Sequence, residues 1–204
     1  MITTTAVAHV LDSIPFALSA PALMKRVHVH EGSDLAAELL PLTEQAATCA
    51  RPKACYLAAP VTDRGENFVE IERVRFTSSA LRVKTQNASQ VFPYLATCGQ
   101  ELQAWGDGIE DMVHRFWVDA LKELALKAAM PALNEHIDAT YHQGSTLMMR
   151  PGMQEDWPIE QQRALFDLLG GCVEAIEVRL TDSMLMIPSK TLSGIRFPTE
   201  EQVG

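Results

Sequence analysis

Residues 148–194, MMRPGMQEDWPIEQQRALFDLLGGCVEAIEVRLTDSMLMIPSKTLSG, alternate between Pro/Gly-bearing polar stretches and apolar periodic ones. Arg150-Pro151-Gly152-Met153 reads as a tight loop, because Pro fixes one torsion and Gly permits a bend. Such a loop brings backbone N–H and C=O groups close to a small molecule. Pro158 suits the first turn of a helix, with Asp156 before it placed to accept that helix's orphan N–H bonds. Ala164, Leu165, Leu168 and Leu169 recur at helical spacing, and Gly170-Gly171 is a stop signal. Ile176, Val178 and Leu180 then alternate with Glu177 and Arg179, predicting a half-buried strand. Met184 and Met186 also alternate, which predicts core packing on a strand. Pro188-Ser189-Lys190-Thr191-Leu192-Ser193-Gly194 reads as a second polar loop. Two loops at the ends of one helix–strand unit are compatible with a shared cleft.

Upstream, the strongest helix begins near Ile109 and carries an apolar face of Met112, Val113, Phe116, Trp117, Ala120, Leu121, Leu124 and Ala125. Pro131 predicts a bend, after which Leu133, Ile137 and Tyr141 continue the helix to about Gln143. Ser33-Asp34 caps an earlier helix that Pro41 kinks and Arg51-Pro52 ends. Residues 54–59, bounded by Pro60, and residues 68–72 predict a hairpin around Asp63-Arg64-Gly65-Glu66-Asn67. Thr77-Ser78-Ser79 starts a short helix. Residues 91–98 read as a strand in which Pro93 argues for an edge or an irregular start, and Gly99 turns it into a helix bearing Glu101 and Leu102. Val27-His28-Val29-His30 reads as a short strand with both imidazoles on one, solvated, face.

Composition narrows the function classes. With 47% hydrophobic and 21% charged residues, the 204-residue chain has a globular balance and the length for one substantial core. A net charge of −9 without a basic cluster argues against nucleic-acid binding, which needs concentrated Lys and Arg. No apolar run reaches membrane-spanning length, and Met1-Ile2-Thr3-Thr4-Thr5 lacks a signal-like start, so a cytoplasmic protein is expected. Cys49, Cys55, Cys98 and Cys172 form no Cys-x-x-Cys pair and read as reduced, mostly buried thiols. His114, His136 and His142 lack the i, i+4 spacing of a helical metal pair, and no nucleophile elbow or phosphate loop occurs. No residue is assigned a catalytic or metal-binding role.

The order Pro151-Gly152, Trp157-Pro158, Gln162, then Leu165-Phe166 and Leu168-Leu169, then Leu180-Thr181-Asp182-Ser183, Met186, Pro188, Lys190 and Ser193-Gly194 carries more. It resembles the activation domain of cobalamin-dependent methionine synthase, and more closely the stand-alone relatives of that domain. The likeness is dense over residues 148–195 and thinner upstream, where Ala96-Thr97-Cys98-Gly99-Gln100-Glu101-Leu102 also fits. It implies an α+β fold over residues 1–204, one domain with a bent antiparallel sheet packed against long helices. It also implies an accessory role in corrinoid-dependent methyl transfer: binding S-adenosylmethionine, a corrinoid protein, or both, and supporting reductive remethylation of cobalamin. The cobalamin would be held by a partner, a corrinoid protein or a cobalamin-dependent methyltransferase.

By that resemblance the ligand lies between Arg150, Pro151, Gly152, Met153 and Trp157 of the first loop and Ser189, Lys190, Ser193 and Gly194 of the second, roofed by the long helix. Met148, Met149 and Met153 offer a soft apolar surface to a macrocycle. The departures are specific. The family's Arg four residues before the Gly, and its Tyr directly after, are Met148 and Met153 here. Its acidic residue on the long helix falls at Pro131, with Glu123 or Glu135 a small shift away. A thioether supplies neither a cation for a carboxylate nor a strong hydrogen bond, so weak binding of free ligand is expected. Two alternatives remain: an interaction protein that kept the fold without the ligand, and a stand-alone S-adenosylmethionine-dependent methyltransferase. The latter lacks the usual glycine-rich loop after an early strand.

Overall fold

The computed structural model describes residues 5–142, 144–153 and 156–199. Its centre is an antiparallel sheet built on β2 (Lys53–Arg64) and β5 (Gln90–Thr97), with β5 and the first half of β2 buried. β9 (Thr191–Pro198) pairs with the free edge of β5, and β6 (Thr146–Met149) pairs with β9. The other edge of β2 is shared. β1 (Val7–Leu11) takes its first half, and β3 (Phe68–Ile71) takes its second and leads to β4 (Val74–Thr77). The register with β3 shifts between Val61 and Asp63, shortly after β2 leaves β1 at Ala58. Bulges of this kind bend a strand and increase its twist. A two-stranded hairpin, β7 (Arg179–Leu180) and β8 (Met186–Ile187), stands apart.

Alternation along the strands gives the sheet two buried faces. Tyr56, Phe92 and Tyr94 join Leu126, Ala129, Leu133 and Ile137 of α5 (Met112–Tyr141) in one cluster. Cys55, Leu57, Leu95, Ile195 and Phe197 pack on the opposite side against α6 (Gln162–Leu169) and α7 (Gly171–Ala175). The first half of α5 forms a third cluster with α1 (Ala20–Val27), α2 (Asp34–Cys49) and α4 (Gln100–Asp107). α3 (Ser79–Lys84) sits over β3.

Local signals set several of these elements. Ser33 and Ser78 accept backbone N–H bonds at the starts of α2 and α3, as their cap positions predict. Gly99, at φ 96°, makes the β5–α4 junction where a side chain would lie 2.1 Å from Arg51 O. Asp111 caps α5, which spans 30 residues, about 45 Å. Pro131 stays inside that helix, exposed on its outer side, while Ala129, Leu133 and Ile137 bury the inner one. A proline in a helix interior costs about 3 kcal/mol, which one or two buried aliphatic side chains offset.

Other expectations are corrected. Val27-His28-Val29-His30 is not a strand: Val27 ends α1, and His28 is its left-handed cap at φ 56°. Pro60 does not end β2, and Pro93 lies in an interior strand rather than at an edge. The β2–β5 pairing skips Leu57 and Ala58 opposite Phe92 and Pro93, so the ladder opens where Pro93 has no N–H to give. Asp156 caps α3, accepting from Ser78 Oγ (3.1 Å) and Ala80 N (2.8 Å), not the helix after it. Gly170, at φ 51°, ends α6 as expected, and α7 follows from Gly171, while the expected strand over Ile176, Val178 and Leu180 shrinks to β7. Met186 is on β8, whereas Met184 is in the hairpin turn at φ 63°. Most consequentially, the expected loop over 188–194 is loop only to Lys190. Thr191 to Gly194 belong to β9, between β5 and β6. Met112, Val113 and Phe116, placed on the apolar face of α5, are exposed at its first turns. α5 ends at Tyr141, with His142 its left-handed cap at φ 51°, close to the expected end; Gln143 and the tail Glu200-Glu201-Gln202 lie outside the described residues.

Candidate functional site

β6 leaves the sheet at Arg150, and Pro151-Gly152-Met153 turns the chain. Gly152, at φ 80°, donates its N–H to Trp157 O at 2.7 Å, and Met153 N–H donates to Arg150 O at 3.2 Å. A Cβ on Gly152 would touch Ile159, in the 3-10 turn Ile159–Gln161, at 3.0 Å. The turn therefore needs glycine for both its torsion and its packing.

Arg150 points its side chain back along the sheet, where Nε donates to Tyr94 Oη at 3.2 Å and Nη1 lies 4.0 Å from Met153 Sδ. Tyr94 stands opposite Gly194 on β9. A Cβ at Gly194 would lie 2.6 Å from Met149 O, 2.9 Å from Tyr94 Oη and 3.0 Å from Arg150 Cγ. Gly194 thus leaves the room in which the Tyr94 hydroxyl and the Arg150 stem meet. Burial pushes the Tyr94 phenol above its usual range, opposed by the Arg150 cation. Arg150, Gly152, Met153 and Gly194 accordingly converge where β6 ends beside the middle of β9, with Met153 exposed and Met148 packed partly into the cluster holding Tyr94.

The other candidates lie elsewhere. Ser193 and Gly194 are successive strand residues, so Ser193 faces the opposite side, where its Oγ approaches Gln162 Oε1 at 3.4 Å. Trp157 is fully buried with its ring edge-on to Phe76 at 6.2 Å, so its indole is core and not a ligand-facing surface. Ser189 gives both N–H and Oγ–H to Gln103 Oε1 at 3.0 Å, and Lys190 pairs with Asp119 at 2.8 Å. Both therefore belong to the α4–α5 end. Glu123 is held by Arg26 (2.7 Å) and Lys127 (2.8 Å), whose hydrogen bonds, Lys127 first, bring its carboxyl down to about 2. It faces α1 rather than the turn. Pro151 is buried within the turn.

Tyr94 was missed because it sits in an apolar run that reads as core. The available signal was its hydroxyl, which in a buried strand requires a partner. No group of three or more His, Cys, Asp or Glu comes together as a metal-ligand set among the described residues. No described helix is long and apolar enough to cross a membrane.

The fold defines the class: an α+β architecture of antiparallel sheet, one long helix on one face and short helices on the other. No family model matches the chain, and no curated protein matches it. Among solved structures it is similar to the MetH reactivation domain, in the crystal structure of that domain bound to AdoHcy. The TM-score is 0.65 over 98% of this chain and 81% of that one, at 15% identity. At this identity the likeness is one of fold. The α+β architecture expected from the sequence resemblance is the architecture observed.

Proposed function

We propose that this chain is an accessory protein of corrinoid-dependent methyl transfer, with a role like that of the MetH reactivation domain. In this reading it binds S-adenosylmethionine or S-adenosylhomocysteine at the Arg150 turn and meets a corrinoid protein that carries the cobalamin. One observation carries the reading. The fold likeness extends over 98% of the chain to a domain described with AdoHcy bound. The turn singled out in the sequence keeps a cation at Arg150, whose stem and the Tyr94 hydroxyl close over Gly194. The antiparallel sheet, without parallel pairing in any of its ladders, differs from the doubly wound nucleotide-binding sheet of the stand-alone methyltransferase alternative.

Arg150 supplies the charge for a ligand carboxylate, and Tyr94 holds its guanidinium in place. Met148 and Met153 leave out further contacts, each worth about 1.5–3 kcal/mol when charge-assisted. Affinity for the free ligand is therefore weak. Calorimetry with S-adenosylhomocysteine tests this on the protein, on Arg150→Gln, and on the double variant Met148→Arg with Met153→Tyr. Weak binding lost in Arg150→Gln and strengthened in the double variant supports the reading. Submicromolar binding by the unaltered protein overturns the weak-binding claim, and no binding by any version overturns the ligand claim.

A second reading has its own observation. Met112, Val113 and Phe116 are exposed at the start of α5, at 83%, 48% and 59%. Contiguous exposed apolar side chains mark interaction surfaces. An interaction protein that kept the fold without the ligand would present such a surface. Capture of a corrinoid protein by the purified chain, undiminished in Arg150→Gln, favours this reading.

A further inference from the structure

Between α4 and α5, away from the Arg150 turn, lies a cleft of about 370 Å³ lined by Gly106, Asp107, Arg115, Val118, Asp119 and Lys122. Lys122 is unusual in it. The residue is only 6% exposed, next to the α5 residues Val118 and Leu121 that share a cluster with Cys98 and Leu102. Burying an ammonium removes its hydration, and the structure normally returns that with a close, hydrogen-bonded anion. Here the only carboxylate oxygen within 4 Å, among the described residues, is Asp107 Oδ1 at 3.9 Å, beyond hydrogen-bond reach. That oxygen is already taken by Gln103 Nε2 at 2.6 Å. Asp119, across the cleft, is engaged by Lys190 at 2.8 Å.

The cleft is shaped around this lysine. A Cβ on Gly106 would fall 2.9 Å from Lys122 Cε and 3.1 Å from its Nζ, so a side chain there would push the ammonium from this position. A second cation lines the same space. Arg115 spends Nε on Ile109 O at 2.7 Å, which fixes the guanidinium plane and leaves its two terminal nitrogens for another acceptor. Counting Lys190, three cations stand around two carboxylates, each carboxylate already held by Gln103 or Lys190. The site has a positive balance in a chain of net charge −9.

We infer that this cleft is a binding site for a small oxyanion, a phosphoryl or carboxylate group, held by Lys122 Nζ and the Arg115 guanidinium. The claim is independent of the Arg150 turn. Arg115 supplies the planar fork that suits such groups, and Lys122 supplies the desolvated point charge.

The test uses the full chain, isotopically labelled, titrated with inorganic phosphate and separately with acetate. Chloride is the reference at matched ionic strength. Saturable amide shifts centred on Gly106 and Val118, weakened at least tenfold in Arg115→Gln, are expected. Lys122→Met should also abolish them. If it does not fold, Arg115→Gln, an exposed position, still decides. Lys84→Gln, on α3, should leave the titration unchanged. Tighter binding of phosphate assigns the site to phosphoryl groups, and tighter binding of acetate to carboxylates. Shifts that never saturate, that chloride reproduces, or that persist undiminished in Arg115→Gln overturn the assignment.

Discussion

The two faces of the central sheet bury comparable side chains by different means. Under α6 and α7 the contact is dry apart from the Ser193 Oγ–Gln162 Oε1 approach: Cys55, Leu57, Leu95, Ile195 and Phe197 meet Leu165, Phe166, Leu169 and Val173. Under α5 the aromatic residues carry polar ends, and each end is engaged. Tyr56 Oη bonds His136 Nδ1 at 2.8 Å, His9 Nε2 bonds Tyr141 Oη at 2.8 Å, and Tyr94 Oη accepts from Arg150. Arg196, 4% exposed, reaches Asp138 at 2.6 Å, Asn134 O at 3.0 Å and Thr146 Oγ1 at 2.9 Å. The dry face gives non-directional burial. The polar face adds bonds with defined partners, which fix where α5, β1 and β6 sit relative to the sheet. The candidate turn is anchored to that polar face.

Substitutions on the two faces should separate these roles. The largest loss is expected for Phe197→Ala on the dry face, about 3–5 kcal/mol in urea unfolding, because a fully buried ring leaves a cavity. A value below that of the polar-face variants would reverse the comparison. Gly194→Ala comes next, at about 1–3 kcal/mol, since the new methyl meets Met149 O and the Tyr94 hydroxyl. It should also displace Arg150 and so reduce S-adenosylhomocysteine binding, a readout that a purely packing effect elsewhere would not move.

Asp138→Ala leaves Arg196 with its two oxygen acceptors but no counter-charge. About 1–2 kcal/mol is expected, below the usual figure for a buried pair because Asp138 is 43% exposed. A loss equal to that of Phe197→Ala would mean that the polar bonds dominate packing on this face.

His9 supplies a pH signature. Burial, and then the neighbouring His136, hold its pKa below 6.5 in the folded chain. The unfolded chain therefore binds more protons between that lowered value and 6.5. Stability should fall as pH drops through this window and level off below it. His9→Gln should flatten the slope, read from thermal midpoints between pH 7.5 and about 5. An unchanged slope would remove His9 from the account.

The smallest effect belongs to Glu123→Gln. The carboxyl pKa of about 2 means its pairing is complete above pH 4.5 and is lost as pH falls through 2. Both cations are exposed, Arg26 at 48% and Lys127 at 60%, so solvent screens the pairs and about 0.5 kcal/mol is expected at pH 7. S-adenosylhomocysteine binding should not change, because Glu123 faces α1.

Much of the fold was legible because its signals are local. Ser33, Ser78 and Gly99 mark element starts by capping or by torsion, and the period of α5 shows in its buried Trp117, Leu121, Ala125 and Leu133. The turn at Gly152 was legible for the same reason. Met112, Val113 and Phe116 had the right period and were still exposed, since periodicity gives a helix face and not what covers it. Asp156 had the right chemistry for a cap but served α3, a helix more than seventy residues earlier in the chain.

The sequence by itself determined the helices with capped starts, the hairpin around Gly65, the torsion-bearing glycines at 99 and 152, and the resemblance that implied the fold. These are properties of residues close in the chain, where cap, torsion and period act directly. Only the tertiary structure decided that Thr191 to Gly194 form a strand between β5 and β6. It also decided that Ser193 and Gly194 face opposite sides, and that Tyr94 meets Arg150. Ser193 and Gly194 have weak strand preference of their own, so the neighbouring ladders set their conformation. In the same way, Lys122 is buried with its charge only when α4 packs Gly106 against it, a juxtaposition that no local pattern in the chain encodes.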